Sequence, residues 1–589
     1  MNVTTTYPPH VLRDYALIAD GERGALVGPR GDIAWMCAPR WDSDGLFSSL
    51  IGGRGVYAVS PDVDRYVWGG YYEPRSLIWR SRWVTTDGVV ESREALAFPG
   101  DAHRAVLLRR VQAVDCSCPI SVVLAPSVGF GTEPLHDVHR RAGVWTARSG
   151  GLFLRWTGAG EARRSDEQWA LRFTLSPGQT RDLVFEVSDH PLPDEPPDPD
   201  QLWEATEYAW RRSVPEMTAT IAPRDAGHAY TVMRGLTSAG GGMVAAATMS
   251  LPERAETGRN YDYRYAWIRD QCFAGQAAAV SEPLPLLDDA VAFICERLLA
   301  DGRQLKPAYT VDGGPVPDER TLSQLAGYPG GTDKVGNWVN QQFQLDALGE
   351  CLLLLAAAAR HDHLENDHWK AVEVAVDTIE ARWEEPDAGI WEINNERWTH
   401  SRLTCVAGLR AIAAFAPPAQ AGAWQALADT VLATTSRECL HPSGRWQRSV
   451  TDEAVDAALL LPSIRGGLAA DDPRTISTLA AVRDELADEH FVYRFRQQPG
   501  PMHRAEGAFI LCGFAMALAE HDQGNASAAA RYFERNRAAC GTPGLFSEEF
   551  DINQRQLRGN LPQAFVHALM LQCAATLTTS DVPSVPVPD

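Results

Sequence analysis

The chain has 589 residues, 45% of them hydrophobic and 22% charged, values of an ordinary globular protein too long for one core, so two domains are expected. Its formal net charge of -22 excludes nucleic acid as a partner, because a phosphate backbone demands a basic footprint. No apolar run reaches the roughly 18–20 residues of a spanning helix, and the opening MNVTTTYPPHVLRDY lacks the cationic start and apolar stretch of a signal peptide, so a cytoplasmic location without membrane contact is expected.

The first third consists of short apolar runs cut by turn residues. Ala25-Leu26-Val27 stops at Gly28-Pro29, Val84 stops before the hairpin signal Asp87-Gly88, and Ala105–Val111 is a further run. Trp169–Leu175 and Leu183–Val187 alternate as half-buried strands do, which predicts an antiparallel β-sandwich over residues 1–190. PLPDEPPDPD at Pro191–Asp200 fits neither helix nor central strand, so residues 191–222 read as a linker with a helix near Leu202–Trp210.

Beyond it the period becomes helical, with Leu287, Val291, Ile294 and Leu298 on one face. Twelve helix starts can be placed, near 226, 268, 285, 338, 366, 401, 420, 453, 473, 504, 526 and 560, with connections that alternate between short and long. Six hairpins of that kind close into an (α/α)6 toroidal barrel over residues 223–578, with all the long loops at one end, where chemistry is sought. A Pro-rich tail over 579–589 is expected to be disordered. The eleven cysteines show no C-x-x-C pairs, which fits reduced thiols rather than disulfides or zinc, and His361-Asp362-His363 reads as a solvated turn, so no metal site is expected.

Three segments mark the long-loop end: NYDYRYAWIRD at Asn260–Asp270, GIWE at Gly389–Glu392, and FSEEFDINQRQLRGNLPQAFVH at Phe546–His567. Glycoside hydrolysis needs one carboxylic acid on the leaving oxygen and one carboxylate on the opposite face. Glu392 has the apolar sequence neighbours Ile390, Trp391 and Ile393, which suit a protonated acid; Glu548 and Glu549 lie beside Ser547 and Asp551, a polar setting that suits an ionised base. Arg269-Asp270 offers a donor fork with a paired acceptor for sugar hydroxyls, or a structural ion pair at a helix start. Tyr263 and Trp267 would add aromatic surface to the same pocket.

At these residues the sequence closely resembles glycoside hydrolase family 15, the glucoamylases, glucodextranases and trehalase-type enzymes. Six blocks follow in family order: the opening at Asp14–Ser43, YDYRYAWIRD, KVGNWVNQQFQLDALGE, GIWE, EGAFILC and FSEEFD…GNLPQAFVH. The resemblance implies an inverting, exo-acting α-glucoside hydrolase with Glu392 as general acid and Glu548 as general base, their carboxyl groups roughly 6.5–9.5 Å apart. It further implies Tyr263 beside the base, Trp267 in the wall, and Arg269, Asp270 and Arg494 on the terminal glucose. Glu506, Gln563 and His567 match family positions, and with Trp391 and Glu549 they complete the substrate-binding candidates. Trp338, Leu348, Val406 and Val566 depart from the pattern, and Trp338 would narrow the leaving-group side. The substrate is left among trehalose, malto-oligosaccharide and isomaltose types, no cofactor is required, and self-association stays open.

Two other readings compete. An inverting disaccharide phosphorylase would need a basic phosphate cradle where Glu548, Glu549 and Asp551 stand. A catalytically silent sugar-binding protein would have no need of both Glu and the Arg-Asp pair.

Overall fold

The computed structural model describes residues 7–254, 258–496 and 506–579; of the expected tail, residues 580–589 lie outside them. Two antiparallel eight-stranded sheets face each other in the first part. The hairpin expected at Asp87-Gly88 joins Trp79–Thr85 to Val89–Leu96, and Gly88 takes the positive φ of 152° that the turn requires. Gln168–Leu175 alternates in burial, as its sequence does. Thr180–Ser188 does not: from Leu183 onward both faces are buried, because it lies inside its sheet and the linker helix Pro199–Ser213 covers the outer side through Trp203 and Asp182. Asp198 caps that helix by accepting from the N–H groups of Asp200 and Gln201, with Pro199 at the first position.

The second part holds twelve helices among the described residues: α1 Pro223–Leu236, α2 Ile268–Ala277, α3 Pro285–Asp301, α4 Leu345–Arg360, α5 Asn366–Arg382, α6 Thr399–Ala413, α7 Pro418–Glu438, α8 as a 3-10 turn Ala457–Leu460 running into Leu461–Ile464, α9 Pro473–Leu486, α10 Ile510–Asp522, α11 Ala526–Arg537 and α12 Ala564–Thr576. The even-numbered helices touch in the order α2, α4, α6, α8, α10, α12 and back to α2, a closed inner ring, and each odd-numbered helix packs outside it. Burial follows from this: every residue of α2 is buried, whereas α7 buries only Trp424, Ala428, Val431 and Thr435. Each inner helix follows a long connection, so the inner N-termini converge on one end of the ring.

Four starts fall later than the sequence pattern suggests. Near 338, Asn337 caps a separate 3-10 turn, Trp338–Gln341, and α4 begins only after Gln344 has reached Arg269 in extended conformation. Near 453, Asp456 takes the cap position of α8. Ala508-Phe509 is committed to a strand paired with Glu549-Phe550, which delays α10, and Leu561-Pro562 holds back α12.

Sandwich and barrel share one apolar core, in which Leu17, Trp35 and Leu77 meet Met233 and Leu236. The indole N–H of Trp35 donates to the Ala247 carbonyl at 2.8 Å, and Gly21 N–H to the Gly235 carbonyl at 3.1 Å.

Candidate active site

The convergent end of the ring encloses a cavity of about 620 Å³, in the size range of small-molecule sites. Its first wall is the extended segment Tyr261–Trp267, whose backbone carbonyls at 261, 263 and 265 accept from Ser250, Ala246 and Ala245. Extended backbone sends neighbouring side chains to opposite faces. Tyr261 and Tyr263 therefore line the cavity, stacked at 6.2 Å, while Asp262 and Arg264 point back to the sandwich. There Arg264 holds Asp262 at 2.7 Å and donates to the carbonyls of Trp41 and Ser43 at 3.1 and 2.6 Å, so the sandwich braces this wall from behind.

Trp267 stands at the N-cap of α2, with Arg269 and Asp270 in the first turn. All three line the cavity. Arg269 donates to Gln344 Oε1 at 2.9 Å, lies 3.6 Å from Asp346 on α4, and lies 3.7 Å from Asp270. Burial pushes the Asp270 carboxyl up to about 7 even though Arg269 pulls the other way.

Glu392 ends the turn Gly389–Glu392. Gly389 has φ 63°, and a Cβ there would lie 2.6 Å from the Trp398 indole, so only glycine fits. Asp387 Oδ1 fixes the turn by accepting from Gly389 N–H at 2.8 Å and from the Ser401 hydroxyl at 2.9 Å. Glu392 itself adopts φ 53°, and its Oε1 accepts from the Trp267 indole at 2.9 Å and from Arg269 at 3.3 Å. Next to it, Trp391 lines the cavity and donates to Asp456 at 2.9 Å.

Glu548, at a bend, and Glu549, the first residue of the following strand, send their side chains to different sides of the wall. Glu548 lines the cavity and takes the Tyr263 hydroxyl at 3.4 Å, at the long limit for such a bond. Glu549 starts the strand Glu549–Asp551, points away from the cavity, and accepts from Gly507 N–H at 2.8 Å and from Arg494 at 3.3 Å. The environments of the two carboxyls invert the expectation from sequence neighbours. Glu392 meets two N–H donors, whereas burial and the adjacent Glu253 carboxylate push Glu548 well above the usual carboxylate range, against the pull of Arg494.

The other candidates divide. Gln563 and Trp338 line the cavity, Trp338 at 48% exposure on its rim. Arg494 also faces it, but its Nη2 is engaged by Glu506 at 2.6 Å, by Glu549 and by Glu253 at 3.7 Å. Glu506, Glu549 and His567 stand behind the wall. His567 is fully buried, accepts from Phe546 N–H at 3.3 Å, and is held neutral by burial. Sequence reasoning missed Glu253, Gln342 and Arg448, which also line the cavity. Glu253 follows Leu251-Pro252 in a loop that carries no motif, and Arg448 sits over the Phe495 ring at 3.5 Å, a contact no local pattern announces.

Among the described residues, the group of three spaced to ligate a metal is His103, Asp189 and His190, exposed on the sandwich and not part of the cavity wall. All eleven cysteines are free thiols, and among the described residues no helix is long and apolar enough to cross a membrane.

Residues 230–575 match the model for glycosyl hydrolases family 15, and residues 7–159 match that for a trehalase-like N-terminal domain. The chain is 30% identical to a trehalase of Mycobacterium tuberculosis over 96% of its own length and 89% of the relative's. It is 29% identical to a trehalase of Mycolicibacterium smegmatis, covering 96% and 90%. Its fold matches the crystal structure of a bacterial glucoamylase complexed with acarbose at a TM-score of 0.73 and 13% identity, over 97% of this chain and 94% of that one. This likeness is one of fold, sandwich and (α/α)6 barrel together.

Proposed function

The chain belongs to glycoside hydrolase family 15 and is a glycoside hydrolase, and from that premise we propose that it is an inverting, exo-acting hydrolase of small α-linked glucosides, trehalose first among them. The carrying observation is that Glu392 and Glu548 line one cavity and are linked through its wall: Trp267 donates to Glu392, Tyr263 to Glu548, and the two rings meet edge to face at 5.5 Å. In the proposed reaction Glu392 gives its proton to the glycosidic oxygen as the C1–O bond breaks. Water attacks C1 from the other face, and Glu548 takes the water's proton. Arg269 and Asp270 would grip hydroxyls of the terminal glucose, and Trp391 would cover its ring. Trehalose is placed first because both relatives described above are trehalases. The free thiols support a reducing, cytoplasmic setting.

The test is a panel of trehalose, maltose and isomaltose with wild type, Glu392→Gln and Glu548→Gln. We expect glucose from trehalose and a loss of kcat on the order of 10³-fold or more in either variant, with unchanged circular dichroism. Turnover of none of the three sugars by wild type would refute the assignment. Glucose 1-phosphate formed only when phosphate is supplied would instead identify a phosphorylase.

A further inference from the structure

Glu253 has no part in the acid, base or hydroxyl-binding set, yet it lines the cavity at 6% exposure. Its position is fixed from its own loop. Its N–H donates to the Arg259 carbonyl at 3.0 Å, and the preceding Pro252 carbonyl accepts from Gly559 N–H at 3.0 Å. Gly559 in turn lies against both acids, since a Cβ there would stand 3.7 Å from Glu253 Cγ and 3.7 Å from Glu548 Oε2. The two carboxyl groups thus share one wall of the cavity, close enough for each to act on the other's ionisation. Carboxylates placed so repel when both are ionised, which favours a single proton held by the pair.

We propose that Glu253 is a positioning residue for the base: it shares one proton with Glu548, and Glu548 is free to act only when that proton sits on Glu253 or has left the pair. The inference rests on the reading of Glu548 as general base.

The surrounding charges favour a retained proton. Arg494 is the buried cation facing the pair, and its guanidinium is divided among Glu506 at 2.6 Å, Glu549 at 3.3 Å and Glu253 at 3.7 Å. Arg259, in the same cavity wall, lies 3.8 Å from Glu506 and pulls Glu253 down less than Arg494 does. Asp270 adds a further carboxyl on the Glu548 side. The hydroxyls of Tyr261 and Tyr263 are pushed up by burial first and by these carboxylates next, so they stay protonated and add no charge. Two carboxylates in contact inside such a wall cannot both ionise cheaply, and the pair titrates as a unit. Burial raises both acids, so the pair holds a proton that rising pH removes, and its loss frees the base.

The sign of the test follows. Glu253→Gln keeps the shape, removes the negative neighbour and mimics the protonated Glu253, so Glu548 ionises at lower pH. The acid limb of kcat/KM is expected to move down by about one pH unit or more. Glu253→Asp keeps the charge but draws it back by one methylene, so its limb moves the same way by less. An acid limb that stays at the wild-type position in Glu253→Gln overturns the proposal. If that variant does not fold, an unmoved limb in Glu253→Asp overturns it in its place. Glu548→Gln separates the two layers of the argument. If it remains active, the base assignment itself fails. If it is inactive while the Glu253 variants leave the limb unmoved, only the role given to Glu253 fails.

Discussion

The two carboxyl groups central to the cavity are chemically the same side chain, yet the chain places them by opposite means. Glu392 sits at φ 53° at the end of an irregular turn, a left-handed conformation that costs an L-residue roughly 1–2 kcal/mol. Asp387 and the Trp391–Asp456 hydrogen bond hold that turn in place, and the carboxyl meets N–H donors from α2 and its cap. Glu548 sits at a bend just before the strand Glu549–Asp551, without the positive φ of Glu392; its carbonyl accepts from Ile510 N–H at 3.1 Å, and its carboxyl meets other acids. Strained backbone with donors on one side, and relaxed backbone with like charges on the other, give two glutamates different surroundings within one cavity. Resting surroundings alone do not assign acid and base: donors face Glu392 and acids face Glu548, while the roles proposed above follow the family motifs GIWE and FSEEFD.

Replacing either carboxyl by its amide, as above, is the largest expected effect and tests whether both members of the comparison are needed. The supporting donors sharpen it. Trp267→Phe removes a 2.9 Å indole bond from Glu392, and a hydrogen bond to a charged group is worth roughly 1.5–3 kcal/mol, so kcat should fall about 10–100-fold. Tyr263→Phe removes only a 3.4 Å contact to Glu548, and the loss should be smaller, about 10-fold or less. Steady-state kinetics on trehalose that reversed this order would break the comparison. The smallest effect belongs to the rim. Trp338→Ala should leave kcat on the preferred sugar within about 2-fold and shift KM ratios among trehalose, maltose and isomaltose by a few-fold, because an exposed rim side chain contributes mainly to binding of the leaving sugar. Unchanged ratios would remove Trp338 from specificity.

Much of this arrangement is legible in the sequence where the information is local. Tyr263 and Trp267 already mark an aromatic wall, and the spacing of long and short connections already implies a closed ring with one functional end. What stays hidden depends on distant chain. The neighbours of Glu392 in sequence are apolar, but its carboxyl meets Trp267 and Arg269, more than a hundred residues away. The neighbours of Glu548 are polar, yet Glu253 and burial set its ionisation. Glu549 and His567 share their motifs with cavity residues but point away, since one strand step or part of a helix turn is enough to carry a side chain behind the wall. Glu253 gave no local signal because Glu548, beside which it lines the cavity, lies nearly three hundred residues away in the chain.

The account stands most directly on the stereochemistry of the released sugar. In trehalose both anomeric carbons are α, so inversion converts the attacked ring to β and leaves its partner α. Proton NMR in the first minutes of hydrolysis by wild type should therefore show α- and β-glucose in equal amounts. Release of α-glucose alone, with β appearing only at the rate of mutarotation, would mean retention and would contradict a water-activating Glu548.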